Sequence, residues 1–145
     1  MKGHVVLEIT SVRDGLVVRR LENNNLFLTG GYHELRRVLK GDSTGGAGTI
    51  TSLALGRGTS SPLAADTSLE VPVLTKDVDN VSYDDPNGKV IITTYLQSNE
   101  GNGFAFTEAG LLSAAGVLMA RTTFAAPEIK TSEYRFTYTW TITAG

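Results

Sequence analysis

The hydrophobic pattern is clearest near the end of the chain, where residues 134 to 143 alternate without a fault. Tyr134, Phe136, Tyr138, Trp140 and Ile142 take one parity, and Arg135, Thr137, Thr139, Thr141 and Thr143 take the other. Successive side chains of a strand point to opposite faces, so this segment predicts a strand with one buried aromatic face and one wet face. Each of the five bulky side chains contributes roughly 1.5 to 3 kcal/mol when buried, and they are the predicted core row.

Earlier in the chain, residues 4 to 10 and 16 to 21 are β-prone runs around Asp14-Gly15, a hairpin signal, with Asn23-Asn24-Asn25 ending the hairpin at about residue 22. The period then changes. Tyr32, Leu35, Val38 and Leu39 have helical spacing and predict one short helix over about residues 31–40 with those four as its inner face. Thr29 or Gly30 is its expected N-cap, Glu34 its first-turn acid, Arg36, Arg37 and Lys40 its C-terminal bases, and Gly41 its stop.

Residues 41 to 48 read as a flexible glycine-rich loop, with Gly45 and Gly46 as a candidate interface. Strands follow over residues 50–55, 74–83, 89–96, 104–112 and 117–124, and the connection 125–132 leads into the terminal strand. The two runs either side of Asp84-Asp85-Pro86-Asn87-Gly88 form a second antiparallel hairpin. Seven to nine short strands and one helix predict a mainly β fold, an antiparallel β-sandwich or small barrel, in a single domain over residues 1–145, with the strands after the helix spanning 49–143.

At 145 residues the chain can bury a sizeable core without staples. It has no cysteine, which removes disulfides, thiolate metal sites and cysteine nucleophiles together. A net charge of −2 gives no footprint for nucleic acid or for anionic lipid, and the pairs Arg19–Arg20 and Arg36–Arg37 read as solvated faces. No apolar run approaches the ~20 residues of a membrane span, and the first residues do not read as a signal peptide. The chain is expected to stay in the cytoplasm where it is made until it is assembled.

Candidate chemistry is sparse. Gly41 and Gly46 have P-loop separation, but Ala47 and Gly48 follow where Lys and Ser or Thr are needed; Gly56-Arg57-Gly58 lacks a third glycine. His4 and His33 have no ligand or nucleophile at a telling spacing. Asp77, Asp79, Asp84, Asp85 and Asn87 lack the spacing of a calcium loop and read as solvated carboxylates. Glu108 lies inside an apolar segment, so it is expected to cap backbone amides or to pair with Arg121 or Lys130 rather than to act with Glu100 as an acid/base pair. No catalytic residue, cofactor or metal is expected, and the chain is not expected to be an enzyme.

Several segments in order carry a resemblance. They are Asn25 to Gly31, Ile50 to Thr59, Pro62, Asp66 to Val71, Phe104 to Leu112, Gly116 to Arg121, Lys130-Thr131 and Trp140 to Ile142. Over about residues 22 to 143 the chain resembles virion structural proteins of tailed bacteriophages, of tail-fibre attachment, baseplate or capsid-decoration type. It departs from that pattern where Pro72-Val73-Leu74 follows Leu69-Glu70-Val71, in place of an arginine.

The resemblance implies a non-enzymatic structural subunit of the particle, linked to tail, baseplate or fibre. It would be made in the host cytoplasm and partnered by other virion proteins and by copies of itself, as a trimer by analogy with phage appendages. A capsid decoration protein is the alternative. A receptor- or carbohydrate-binding module using Tyr32, Tyr83, Tyr95 or Tyr134 is a further one, and a hydrolase built on His4 or His33 is the remotest.

Overall fold

The computed structural model describes residues 1–125 and 129–144. Its strands are β1 (Lys2–Ser11), β2 (Val17–Phe27), β3 (Ile50–Gly56), β4 (Pro72–Asp77), β5 (Asn80–Asp84), β6 (Lys89–Leu96), β7 (Glu108–Ser113), β8 (Leu118–Thr123) and β9 (Tyr134–Thr143), and its helix α1 is Thr29–Leu39. The strands form one antiparallel sheet in the order β4-β3-β7-β8-β2-β1-β9-β6-β5.

Two features of the chain force this sheet to curl. β2 changes partner along its length, pairing with β1 from Val17 to Asn25 and with β8 at Leu26 and Phe27. The edges β4 and β5 are separated only by Val78 and Asp79. Val78 N donates to Thr51 O before β3 enters its ladder with β4 (3.0 Å), while Asp79 N donates to Thr93 O of β6 (2.9 Å). The chain leaves one edge and enters the other in a single step, which is geometrically possible only if the sheet bends round on itself. The result is a mainly β half-barrel with one helix.

The concave face holds the core. On β9, Phe136, Tyr138, Trp140 and Ile142 are buried and Tyr134 is half-buried. They pack with Val5, Leu7 and Ile9 of β1 and with Ile92 and Leu96 of β6, and the far wall brings Leu53, Leu55 and Leu111. The central position of β9, hydrogen-bonded to β1 on one side and β6 on the other, follows from its composition, because a row of aromatic rings is most fully dehydrated between two neighbours. The threonines of the other parity stay partly exposed.

The outer face of β3, β7 and β8 is covered as well. The excursion 57–71 between β3 and β4 lies across it, and Leu69 packs with Leu28, Ala54 and Leu118 in a second, smaller cluster. Gly110 beneath it has no room for a Cβ, which would stand 3.1 Å from Ala120 O and 3.2 Å from Leu69 Cδ2.

Several boundaries differ from those the sequence predicts. The first hairpin does not end at the asparagines: β2 runs through them, with His4 Nδ1 on Asn24 Oδ1 (3.1 Å) and Asn23 Nδ2 donating to Thr123 O (2.6 Å). The run 74–83 is split into β4 and β5, and 104–112 is strand only from Glu108, with Ala105 bridging Ile129. The connection 125–132 lies partly outside the described residues.

The helix differs most. It starts at Thr29 with Leu28 at the N-cap position and no side-chain cap, and no acid lies in its first turn. Tyr32, Val38 and Leu39 are exposed; the buried positions are Gly31 and Glu34, with Leu35 packed on the core. The helix approaches β8 so closely that a Cβ on Gly31 would stand 2.5 Å from Met119 O. Glu34 is held by Ser113 Oγ (2.6 Å) and by Arg37 Nη1 (3.2 Å), which satisfies a carboxylate that would otherwise forbid that face.

The loop 41–48 is likewise tied down. Arg37 donates to Asp42 Oδ2 (3.1 Å) and to Thr44 O (3.1 Å), Asp42 accepts from Thr44 N, and Ala114 N reaches Thr49 O (2.8 Å). Hydrogen bonds from Thr44 and Arg37 hold the Asp42 carboxyl down at about 2.

Candidate functional site

Two places in the fold concentrate unusual chemistry: a buried ionic knot under the excursion, and an open end of the half-barrel.

The knot begins with Glu108, wholly buried at the start of β7. Its Oε1 accepts from Glu70 N (2.9 Å) and Arg121 Nε (3.1 Å), and its Oε2 accepts from Gly58 N (2.6 Å) and Val71 N (2.8 Å). Arg121 of β8, 2% exposed, completes its fork with Asp66 Oδ2 (3.1 Å) and Ser60 O (3.0 Å). Both residues sit on the outer face, two places apart across the β7–β8 ladder, where Gly110 lies opposite Arg121 and Thr123 opposite Glu108.

Three backbone amides and one guanidinium on one carboxylate make a charge-assisted anchor of the strong kind. Glu70 closes the same loop by accepting from Thr59 N (2.9 Å), and its carboxyl is lowered by hydrogen bonds from Ser60 and Thr59. The arrangement can hold the excursion rigid. Every oxygen of Glu108 is engaged, which leaves that carboxylate no free acceptor.

Lys130 lies elsewhere. It is buried, with Nζ donating to Asn102 Oδ1 (2.9 Å) and Thr131 O (3.0 Å) and standing 5.9 Å from the Phe136 ring centre; burial lowers its ammonium below the ordinary lysine value. Together with Gly103 N on Lys130 O (2.8 Å), it fastens the loop 98–104 to the chain before β9. Glu100 is remote from Glu108 and accepts instead from Lys76 Nζ (2.8 Å) and Gln97 N (3.0 Å), contacts that lower its carboxyl. Lys76 also donates to Tyr95 O.

The open end lies between β5, the start of β3 and the helix. A cavity of about 370 Å³ is lined there by Phe27, Leu35, Ile50, Val81, Val90 and Met119. Val81 and Tyr83 of β5 have the inward parity, opposite Ile92 and Val90, yet Tyr83 is 77% exposed. The half-barrel is splayed at this point, and among the described residues no strand pairs with β5 on the side away from β6.

The remaining candidates are scattered. His4 is half-exposed, between Asn24 and Glu22 Oε2 (3.0 Å), whose hydrogen bonds raise its imidazole; His33 is exposed on α1. The four tyrosines divide between two ends of the sheet. Tyr32, edge-on to Phe27, and Tyr83 are near the open end, while Tyr134 and Tyr95, the latter stacked under Arg135 at 4.0 Å, are near the other. Asp84 accepts from Asn87 Nδ2 (2.9 Å) and Asp79 from Tyr95 N (2.8 Å). Among the described residues, no three acidic, histidine or cysteine side chains are placed to hold a metal, and no helix is long and apolar enough to cross a membrane. Gly45 is at the exposed crest of its loop, whereas Gly46 lies against Ala114.

The particular amides of the knot, those of Gly58, Glu70 and Val71, are contacts that the sequence alone does not name. Gly56 and Gly58 are the signals that point to them, since a Cβ at either would run into Glu108.

No curated protein and no solved structure matches the chain. A family model does, over residues 35–132, which runs from the helix across β3 to β8 and takes in both the knot and most of the open end. That is well over half of the sequence, and the chain belongs to the family of phage tail-collar fibre proteins, matching the N-terminal region of that family.

Proposed function

We propose that this virion component is a non-enzymatic, fibre-linked structural subunit at the tail or baseplate, which works by presenting rigid loops and strand edges to neighbouring subunits. The observation that carries the reading is the family match across the excursion and its knot. The knot fits such a role: a surface excursion fastened by a buried carboxylate through three hydrogen bonds keeps its shape when a neighbour pulls on it. Both ring nitrogens of His4 are engaged, by Asn24 and Glu22, which gives no support to a hydrolase built on it.

Copies of the chain associate with one another in this reading, with a trimer as the expected state, and Gly45 at its loop crest remains a candidate contact. Gold-labelled antibody against the chain, applied to intact particles, tests the position. Label on the tail or its fibres is expected. Label over the head would replace the reading with capsid decoration, and binding of a glycan by the isolated chain with loss of host attachment would replace it with a receptor role.

A further inference from the structure

Lys130 is held in an unusual way for a buried charge. The side chain is wholly buried, and Nζ rests on two neutral oxygens, Asn102 Oδ1 (2.9 Å) and Thr131 O (3.0 Å). Glu100, the carboxylate whose charge acts on it, is ion-paired with Lys76 instead (2.8 Å). An ammonium taken out of water and given neutral acceptors readily sheds a proton, and the amine that results is a nucleophile.

That amine faces a carboxamide fixed in place. Asn102 Nδ2 donates to Ser98 O (2.9 Å), which decides the orientation of the amide and turns Oδ1 toward Lys130. The loop that carries it is closed by Glu100 N on Gln97 O (3.0 Å) and by Gln97 N on Glu100 Oε1 (3.0 Å). The lysine backbone is tied to the same loop, with Lys130 N donating to Phe104 O (2.8 Å) and Gly103 N to Lys130 O (2.8 Å). Nζ thus stands beside Cγ of Asn102, the carbon that bears Oδ1, and both groups are held there by main chain and side chain together. Such fixation replaces a chance encounter and favours reaction. Asn102 is exposed, so a small leaving molecule can reach solvent. The usual reaction of an Asn-Gly pair, closure of the next amide nitrogen on Cγ, is opposed here because Gly103 N is committed to Lys130 O.

We propose that Lys130 and Asn102 are the two halves of an intramolecular isopeptide cross-link, formed by the folded chain on itself. The lone pair of the neutral Nζ adds to Cγ, and the Cγ–Nδ2 bond breaks. Nδ2 keeps its two hydrogens, takes one from Nζ and departs as ammonia, which picks up the proton first shed by Lys130. Nζ keeps one hydrogen in the new secondary amide, and nothing is oxidised or reduced. The bond joins the loop before β7 to the chain entering β9, so the β7–β8 hairpin lies inside a covalent ring and tension along the chain bypasses it. The bond is internal, and its presence does not depend on where the chain sits on a particle.

The test is intact-mass spectrometry of the whole chain, purified, folded and aged at mildly alkaline pH, where more of the amine is neutral. A mass below that of the sequence by one ammonia is expected, with a branched tryptic peptide that joins residues 102 and 130. Lys130→Arg, which keeps the charge and the donors, and Asn102→Ala, at an exposed position, are each expected to show the full sequence mass with unchanged circular dichroism. The second variant decides the matter if the first does not fold. A wild type that keeps its full mass after ageing overturns the proposal and leaves Lys130 as a hydrogen-bonded pin. So does the mass gain of deamidation at Asn102 without a branched peptide. An ammonia loss that persists in both variants belongs to ring closure at an Asn-Gly pair elsewhere and overturns it as well.

Discussion

Glu108→Gln is the most informative single change. The substitution keeps the shape and removes the charge. Because each carboxylate oxygen accepts two hydrogen bonds, the amide NH2 must face two donors whichever way it is turned: Glu70 N and Arg121 Nε, or Gly58 N and Val71 N. Rotation therefore offers no escape.

Breaking a buried ion pair by removing one partner costs about 3 to 5 kcal/mol, and each orphaned buried donor about 1 to 3 kcal/mol. Arg121 keeps Asp66 and the Ser60 carbonyl, so its charge stays compensated and the lower part of the range, about 3 to 4 kcal/mol, is expected. For a chain of this size that lowers the melting temperature by roughly 10 °C. The loss should be local in origin. In hydrogen exchange, the amides of Gly58, Glu70 and Val71 should lose protection first, while those of β1 and β9 keep theirs up to global unfolding. A loss under about 1 kcal/mol, or unchanged protection of those three amides, would refute the account of the excursion as anchored by this carboxylate.

Other consequences are as direct. Trp140→Ala should destabilise by about 3 to 5 kcal/mol and Thr139→Ala, on the half-exposed face, by under about 0.5 kcal/mol, measured by denaturant unfolding; equal losses would mean that the threonine face is covered too. Glu34→Ala should cost about 1 to 3 kcal/mol by leaving Ser113 Oγ without its acceptor, and Glu34→Gln clearly less. The Asp42 carboxyl has a folded-state value of about 2 against an ordinary 3.8, so its contribution is complete above 3.8 and is lost as pH falls toward 2. Acid unfolding of Asp42→Asn followed against the wild type should accordingly lack part of the steepening in that window.

What could be read in the sequence depended on how local the cause was. The terminal strand is legible because its alternation and ring sizes alone decide which face is buried. The aspartates and glycine of the 84–88 loop likewise fix a hairpin between neighbours in sequence. The asparagines of β2 read as a stop because such residues are poor strand formers; their partners, His4 and Thr123, are supplied by other strands.

The inner face of the helix is hidden from the sequence for a related reason. Apolar spacing marks an inner face only when side chains fill the gap, whereas here a glycine lets the backbone of α1 approach β8 and a hydrogen-bonded glutamate takes the inner position. At the knot, an inward carboxylate in an apolar strand announces that it needs donors. Where those donors are, at residues 58, 70 and 71, depends on the path of an excursion that only tertiary packing determines.

The central claim, a structural subunit of the phage tail, is met most directly by a side-chain-resolution reconstruction of the intact particle. The account predicts density for this half-barrel on the tail or its fibres, the excursion 57–71 in the same conformation as in the free chain and the β5 edge covered by a neighbour. Density for the chain on the head shell, or its absence from the particle altogether, would contradict it.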